Sequence, residues 1–306
     1  MTHVILEIIL ISFIFLAVAL VAGNNLSACV GPAVGARILT KRTGALLGAG
    51  GFTAGLLVQG AGMANSVNEF IPSASIEFQI ELLAVAIVIF IIAHVARLPL
   101  SFSMSLVGLL AGYALAIGST AQIPFMAKTV AMWVIAPIVA MIIAYYLIRY
   151  INSRPVKDIW RRIRFYKALL LVLAFSTAYV SGANTLGLIV ATAGFSGATL
   201  AAAVSAIFVG SIFLGEGTIR RVSGEFYRMR YSNATVALAA SSIIVEAAAL
   251  LNIPLSNTQT TTAAVFGAGI SYKAKFLSLR PYLIIFLGWI MAPVLSFCIG
   301  YLLFQL

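Results

Sequence analysis

Charge is what this sequence has least of. Only 9% of its 306 residues are Asp, Glu, Lys or Arg, while 62% are hydrophobic; soluble domains carry roughly a quarter charged residues. That shortage excludes an ordinary soluble domain and implies a polytopic membrane protein. Acidic residues are the scarcer sign, eight against 19 basic, which leaves a net charge of +11. The basic residues fall in short connections between apolar runs. They form no basic helix or aromatic-interleaved patch, which argues against a nucleic-acid partner. Cysteine is nearly absent: Cys29 and Cys298 lie in apolar stretches without paired spacing, so neither a disulfide framework nor a metal site is indicated. No nucleophile and base pairing, metal cluster or P-loop is present, so an enzyme and a bound cofactor are not expected.

What the chain has instead is long apolar runs. Spans of about 20 apolar residues fall near residues 4–22, 44–62, 79–97, 103–119, 129–149, 168–190, 196–215, 234–251, 259–272 and 282–304, the fourth and ninth being short. The expected fold class is therefore an all-α polytopic membrane protein of about ten spans, some broken or re-entrant. Met1–Val21 has no basic n-region and carries Glu7, which favours a first span over a signal peptide. With both termini outside, 18 of the 19 Lys and Arg residues are cytoplasmic and only Lys128 is external, the asymmetry expected for a cell-membrane protein with basic loops inside.

The chain also reads as duplicated. Asn24 and Asn184 are 160 residues apart, Pro99 and Pro254 are 155 apart, and Trp133-x-x-Ala136-Pro137 precedes Trp289-x-x-Ala292-Pro293 by 156. Five spans per half, an odd number, imply inverted repeats, an architecture of secondary transporters. The expected organisation is a first repeat at 1–151, a basic linker at 152–167 facing the inner leaflet, and a second repeat at 168–306.

Four polar breaks interrupt the apolar runs. Pro254-Leu255-Ser256-Asn257-Thr258 opens a run of hydroxyls and amides that lipid cannot satisfy. Its shorter counterpart is Pro99-Leu100-Ser101-Phe102-Ser103. The other two are Gly23-Asn24-Asn25-Leu26-Ser27 and Gly182-Ala183-Asn184-Thr185, where Asn at the start of a helical segment would act as an N-cap and open a half-helix aimed at an anion. The expected substrate site comprises Asn24, Asn25, Ser27, Ser101, Ser103, Asn184, Thr185, Ser256, Asn257 and Thr258, near the membrane midplane. Among ionisable groups Glu246 lies deepest in a span and is the proton-carrier candidate, whereas Glu81 and His94 sit nearer span ends.

Taken together, Gly182-Ala183-Asn184-Thr185, Asn252-Ile253-Pro254-Leu255-Ser256-Asn257-Thr258-Gln259, Gly267-Ala268-Gly269 and Gly215-Glu216-Gly217-Thr218-Ile219 resemble the inorganic phosphate transporter (PiT) family over nearly the whole chain. The resemblance implies a transporter of an inorganic oxyanion and a homodimer. The departures are informative: where the family carries Asp after Asn, this chain has Asn25 and Thr185, and where it carries His in the second motif, this chain has Gln259. Hydrogen phosphate has a proton to donate to a carboxylate, whereas sulfate is acceptor-only and a carboxylate repels it. A site without carboxylates therefore resembles the sulfate permease branch, with sulfate the expected anion, phosphate the alternative, and proton rather than sodium coupling. A channel-like or scaffolding membrane protein is the alternative from another class.

Overall fold

The computed structural model describes residues 2–71, 74–95, 101–120, 122–154, 158–215, 230–271 and 279–303. Among them the chain is helical, with no strand. The helices are α1 (Thr2–Gly35), α2 (Lys41–Gln59), α3 (Met63–Phe70), α4 (Ile76–Val95), α5 (Phe102–Ala116), α6 (Ile123–Ser153), α7 (Ile159–Ser181), α8 (Gly187–Ala191), α9 (Gly197–Val209), α10 (Tyr231–Leu250), α11 (Asn257–Ile270) and α12 (Leu279–Leu303). Seven apolar helical segments among the described residues are long enough to cross a membrane. Where the two short spans were expected lie α5, of 15 residues, and α11, of 14, neither of them among those seven. Leu98–Leu100, Glu216–Arg221 and the side chain of His94 lie outside the described residues.

Two expectations about the breaks are corrected. Asn24 does not start a half-helix: α1 runs unbroken from Thr2 to Gly35, through Gly23, Asn24, Asn25 and even Pro32. At 34 residues it is about 51 Å long, well beyond a hydrocarbon core of roughly 30 Å. Asn184 is likewise no N-cap, because α7 continues into α8 through a wide π turn at Gly182–Leu186. The reason is tertiary. Gly23 lies against the backbone of Gly210 and Leu214, and Gly182 against the backbone of Phe52, so these glycines let helices touch rather than let one unwind. A smaller surprise is α3, a helix inside the connection expected between the second and third spans.

Packing repeats between the halves. Helix α2 lies along α7 and α1 along α9; α5 lies along α12 and α6 along α11. The register repeats too. Gly55 abuts the carbonyl of Tyr179, and Gly210 abuts that of Ala19; Gly112 abuts the carbonyl of Phe297, and Gly267 that of Met141. The helix starts match as well. Thr40 caps α2 by accepting from the Thr43 N–H at 3.2 Å, and Ser196 caps α9 by accepting from the Thr199 N–H at 3.2 Å. Each cap follows a left-handed residue that ends the preceding helix, Arg37 (φ 59°) in the first half and Gly194 (φ 81°) in the second.

These contacts set a sharp test. A methyl group at Gly55 would collide with the Tyr179 carbonyl, whereas one at Gly197 meets nothing within 4 Å. Gly55→Ala is therefore expected to lower the thermal midpoint of the purified protein strongly, while Gly197→Ala leaves it unchanged or raises it, since Ala gains up to about 1 kcal/mol of helix propensity. Differential scanning fluorimetry of both variants checks the contrast.

Candidate functional site

The site is built around the break between α10 and α11. Helix α10 ends at Leu250 and is followed by a turn at Asn252, whose backbone is left-handed (φ 54°) and whose carbonyl accepts from the Ser66 hydroxyl of α3. Ile253-Pro254-Leu255-Ser256 then runs non-helically through the buried interior, the Ile253 N–H still bonded back to the Ala248 carbonyl of α10 and the Ser256 carbonyl already accepting the Thr260 N–H of α11. Exposed to lipid, such a backbone would be untenable. Here nearly every polar group has a named partner. Asn184 spans the break, donating from Nδ2 to the Ile253 carbonyl at 2.8 Å and accepting the Leu255 N–H on Oδ1 at 2.9 Å. The Trp133 indole N–H donates to the Pro254 carbonyl at 2.9 Å. Ser256 caps α11, its Oγ accepting the Gln259 N–H at 3.3 Å and its carbonyl accepting from Thr260. Pro254 itself has no N–H to satisfy.

Beside the break lies a layer of neutral polar side chains from α1, α7, α10 and α11. Asn25 donates from Nδ2 to Ser181 Oγ at 3.3 Å and accepts the Thr258 hydroxyl on Oδ1 at 3.3 Å. Asn257 donates to Cys29 Sγ at 3.2 Å and accepts from the Ser241 hydroxyl, which also pairs with Thr261 at 2.7 Å. Cys29 reaches the Thr177 carbonyl, and the Thr177 hydroxyl pairs with Ser242 at 2.7 Å. No Lys, Arg, Asp or Glu takes part in these bonds. The layer offers hydrogen-bond donors without net charge, and the first amides of α11 have no intrahelical acceptor and carry the positive end of its dipole.

The expected site residues thus divide by role. Asn25, Asn257 and Thr258 share the layer; Asn184 and Ser256 hold the break. Ser27 donates to the Asn24 carbonyl at 2.8 Å, one turn back on α1. Ser101, the residue before α5, and Ser103 hydrogen-bond each other at 3.1 Å. Thr185 differs from all of these: it is 2% exposed and its hydroxyl has no hydrogen-bond partner. Glu246 lies one turn beyond Ser242 on α10, and its Oε2 is buried without a partner. Sequence reasoning missed Trp133, Cys29, Thr177, Ser181, Ser241 and Ser242. For the adjacent serines Ser241 and Ser242 within an apolar helix a signal existed. For Cys29, flanked by apolar residues, none did.

A helical membrane protein with a buried, neutral polar layer beside a broken span has the form of a transporter. The profile of the phosphate transporter family matches residues 21–169 and again 156–300, so the chain belongs to that family. A protein of Methanocaldococcus jannaschii named as a phosphate permease is 23% identical over 297 residues, covering 96% of this chain and 95% of that protein. The sulfate permease CysP of Bacillus subtilis is 31% identical over 107 residues, covering 33% of this chain and 28% of that protein. A solved structure titled "The sodium-dependent phosphate transporter" superposes with a TM-score of 0.84 over 99% of each chain at 16% identity, a likeness of fold.

Proposed function

We propose that this protein is a secondary transporter that carries an inorganic tetrahedral oxyanion, phosphate, into the cell through a site formed by the polar layer and the start of α11. The unpartnered Thr185 hydroxyl carries the reading. A hydroxyl buried in a membrane protein loses about 1–3 kcal/mol if nothing bonds to it, and here it neighbours Asn184, which braces the break that opens α11. A bound oxyanion supplies the missing acceptor, and neutral donors with helix amides can hold and release a dianion without Lys or Arg. The full-length relative named for phosphate supports that choice of substrate.

Inverted repeats support a carrier over a channel. Consecutive α1 and α2 pack on each other across the turn that ends at Thr40 and so run antiparallel. Helix α2 runs parallel to α7, because Gly51 and Gly55 meet Phe175 and Tyr179 in ascending order. Helix α7 therefore opposes α1, its mate by the Asn24 and Asn184 correspondence, which is the relation alternating access needs. The proposed orientation has the termini outside and the basic connections in the cytoplasm.

A second reading, sulfate, rests on Asn25 and Thr185, which leave the site without a carboxylate to accept a proton from phosphate. Uptake of labelled phosphate into proteoliposomes, competed by sulfate, decides between them. Phosphate is the substrate if sulfate competes only weakly; sulfate is if it competes better than unlabelled phosphate. Absence of counterflow for both anions refutes the carrier.

Moving a dianion inward against a potential of about 100 mV costs roughly 4.6 kcal/mol, so compensating cations must enter. The proposed cation is a proton carried by Glu246, whose Oε2 is buried and unpartnered. Uptake is then driven by an inward proton gradient without sodium, and Glu246→Gln abolishes that drive while exchange persists. Uptake driven by sodium at equal pH, and indifferent to Glu246→Gln, refutes the assignment.

A further inference from the structure

A cavity lies beside the polar layer. Helices α5, α6, α11 and α12 enclose a groove of about 770 Å³, within the range of small-molecule sites, roughly 300–1,000 Å³. It contains Pro137 and Pro293, the paired prolines of α6 and α12, and both Trp133 and Trp289. Each proline removes one helical hydrogen bond at matching positions, and Gly108 of α5 lies directly against the Pro293 carbonyl of α12.

The lining is almost wholly apolar, with one polar exception that matters. Gln259, only 5% exposed, lines the groove and has a buried Oε1 without any partner. Its orientation is not interchangeable, because its Nε2 donates to the Trp133 carbonyl at 3.1 Å, and only the amide nitrogen can donate there. The free atom is therefore the oxygen, an acceptor. A lipid tail alone would leave it unsatisfied, and so would an anion. What satisfies both the walls and this oxygen is an apolar body carrying one hydrogen-bond donor.

We propose that this groove is a binding site for a single-chain membrane amphiphile with a hydroxyl head, the hydroxyl donating to Gln259 Oε1 and the chain packing between Trp133, Pro137, Trp289 and Pro293. The site adjoins the transport machinery, since Trp133 holds the Pro254 carbonyl and Gln259 stands in the first turn of α11. Binding itself does not depend on which anion the protein carries.

The tryptophans supply the readout. The chain has three, and the third, Trp160, is highly exposed on α7 away from the groove. With Trp160→Phe as background, in phosphatidylcholine nanodiscs holding one copy each, fluorescence is titrated with terminally brominated dodecanol and with bromododecane. The alcohol is expected to quench saturably, with a half-saturation about three- to tenfold lower than the alkane, the value of one hydrogen bond. Gln259→Leu should erase that difference. Ala263→Phe, which fills the groove away from the break, should abolish saturable quenching by both. Linear quenching that is equal for alcohol and alkane reports partition into the bilayer and overturns the proposal. So does a preference for the alcohol that survives Ala263→Phe. Saturable quenching that is equal for the two probes leaves the groove a plain lipid-tail site and overturns the role of Gln259.

Discussion

Asn184→Ala is expected to abolish uptake and to lower the thermal midpoint of the purified protein, whereas Thr185→Val abolishes high-affinity binding and leaves the midpoint where it was. These neighbours differ in what their side chains hold. Asn184 satisfies two buried backbone groups, the Ile253 carbonyl and the Leu255 N–H. Truncation orphans both, at about 1–3 kcal/mol each. Thr185 satisfies nothing within the protein, and valine preserves its shape while removing the hydroxyl. Loss of a hydrogen bond to a charged ligand is worth about 1.5–3 kcal/mol, or roughly 10- to 150-fold in affinity. Scanning fluorimetry with and without the anion, alongside uptake, separates the two. A Thr185→Val protein that binds like wild type removes Thr185 from the site.

Restoring the two carboxylates, Asn25→Asp with Thr185→Asp, is expected to divide phosphate from sulfate. Asp at position 25 keeps the acceptor for the Thr258 hydroxyl, and the Ser181 hydroxyl can turn from accepting to donating. The local bonds therefore survive the change. Electrostatics do not: a carboxylate beside an acceptor-only dianion costs several kcal/mol, while hydrogen phosphate offsets it by donating its proton. Competition of labelled phosphate uptake by sulfate should weaken by more than about a hundredfold, with phosphate uptake retained. Equal loss of both anions would show that residues 25 and 185 do not face the substrate.

Much of the architecture was legible because lipid restricts what a chain can do. An apolar run long enough to span must be a helix, so α6, α10 and α12 fall where hydropathy puts them, and Pro254 followed by Ser256 marks a true interruption with α11 beginning at Asn257. The same logic misled at Asn24 and Asn184. An Asn beside glycine reads locally as a cap, yet α1 and α7 pass through both positions, because the glycines lie against neighbouring backbones and the amides bond across the fold. The matching caps at Thr40 and Ser196 were visible as Thr-x-x-Thr and Ser-x-x-Thr at the offset of the repeat, and went unread because each is short.

Composition and hydropathy determined by themselves that this is a helical membrane protein and that one apolar stretch is interrupted at Pro254, since each follows from the expense of placing charge or unsatisfied backbone in lipid. Only the tertiary structure decided what each polar residue does. Asn184 and Thr185 are adjacent and similar in kind, but the side chain of one is consumed by the Pro254 break, while the hydroxyl of the other is left unpartnered. That distinction depends on which helix lies opposite, a contact made between residues some 70 positions apart, and no local pattern encodes it.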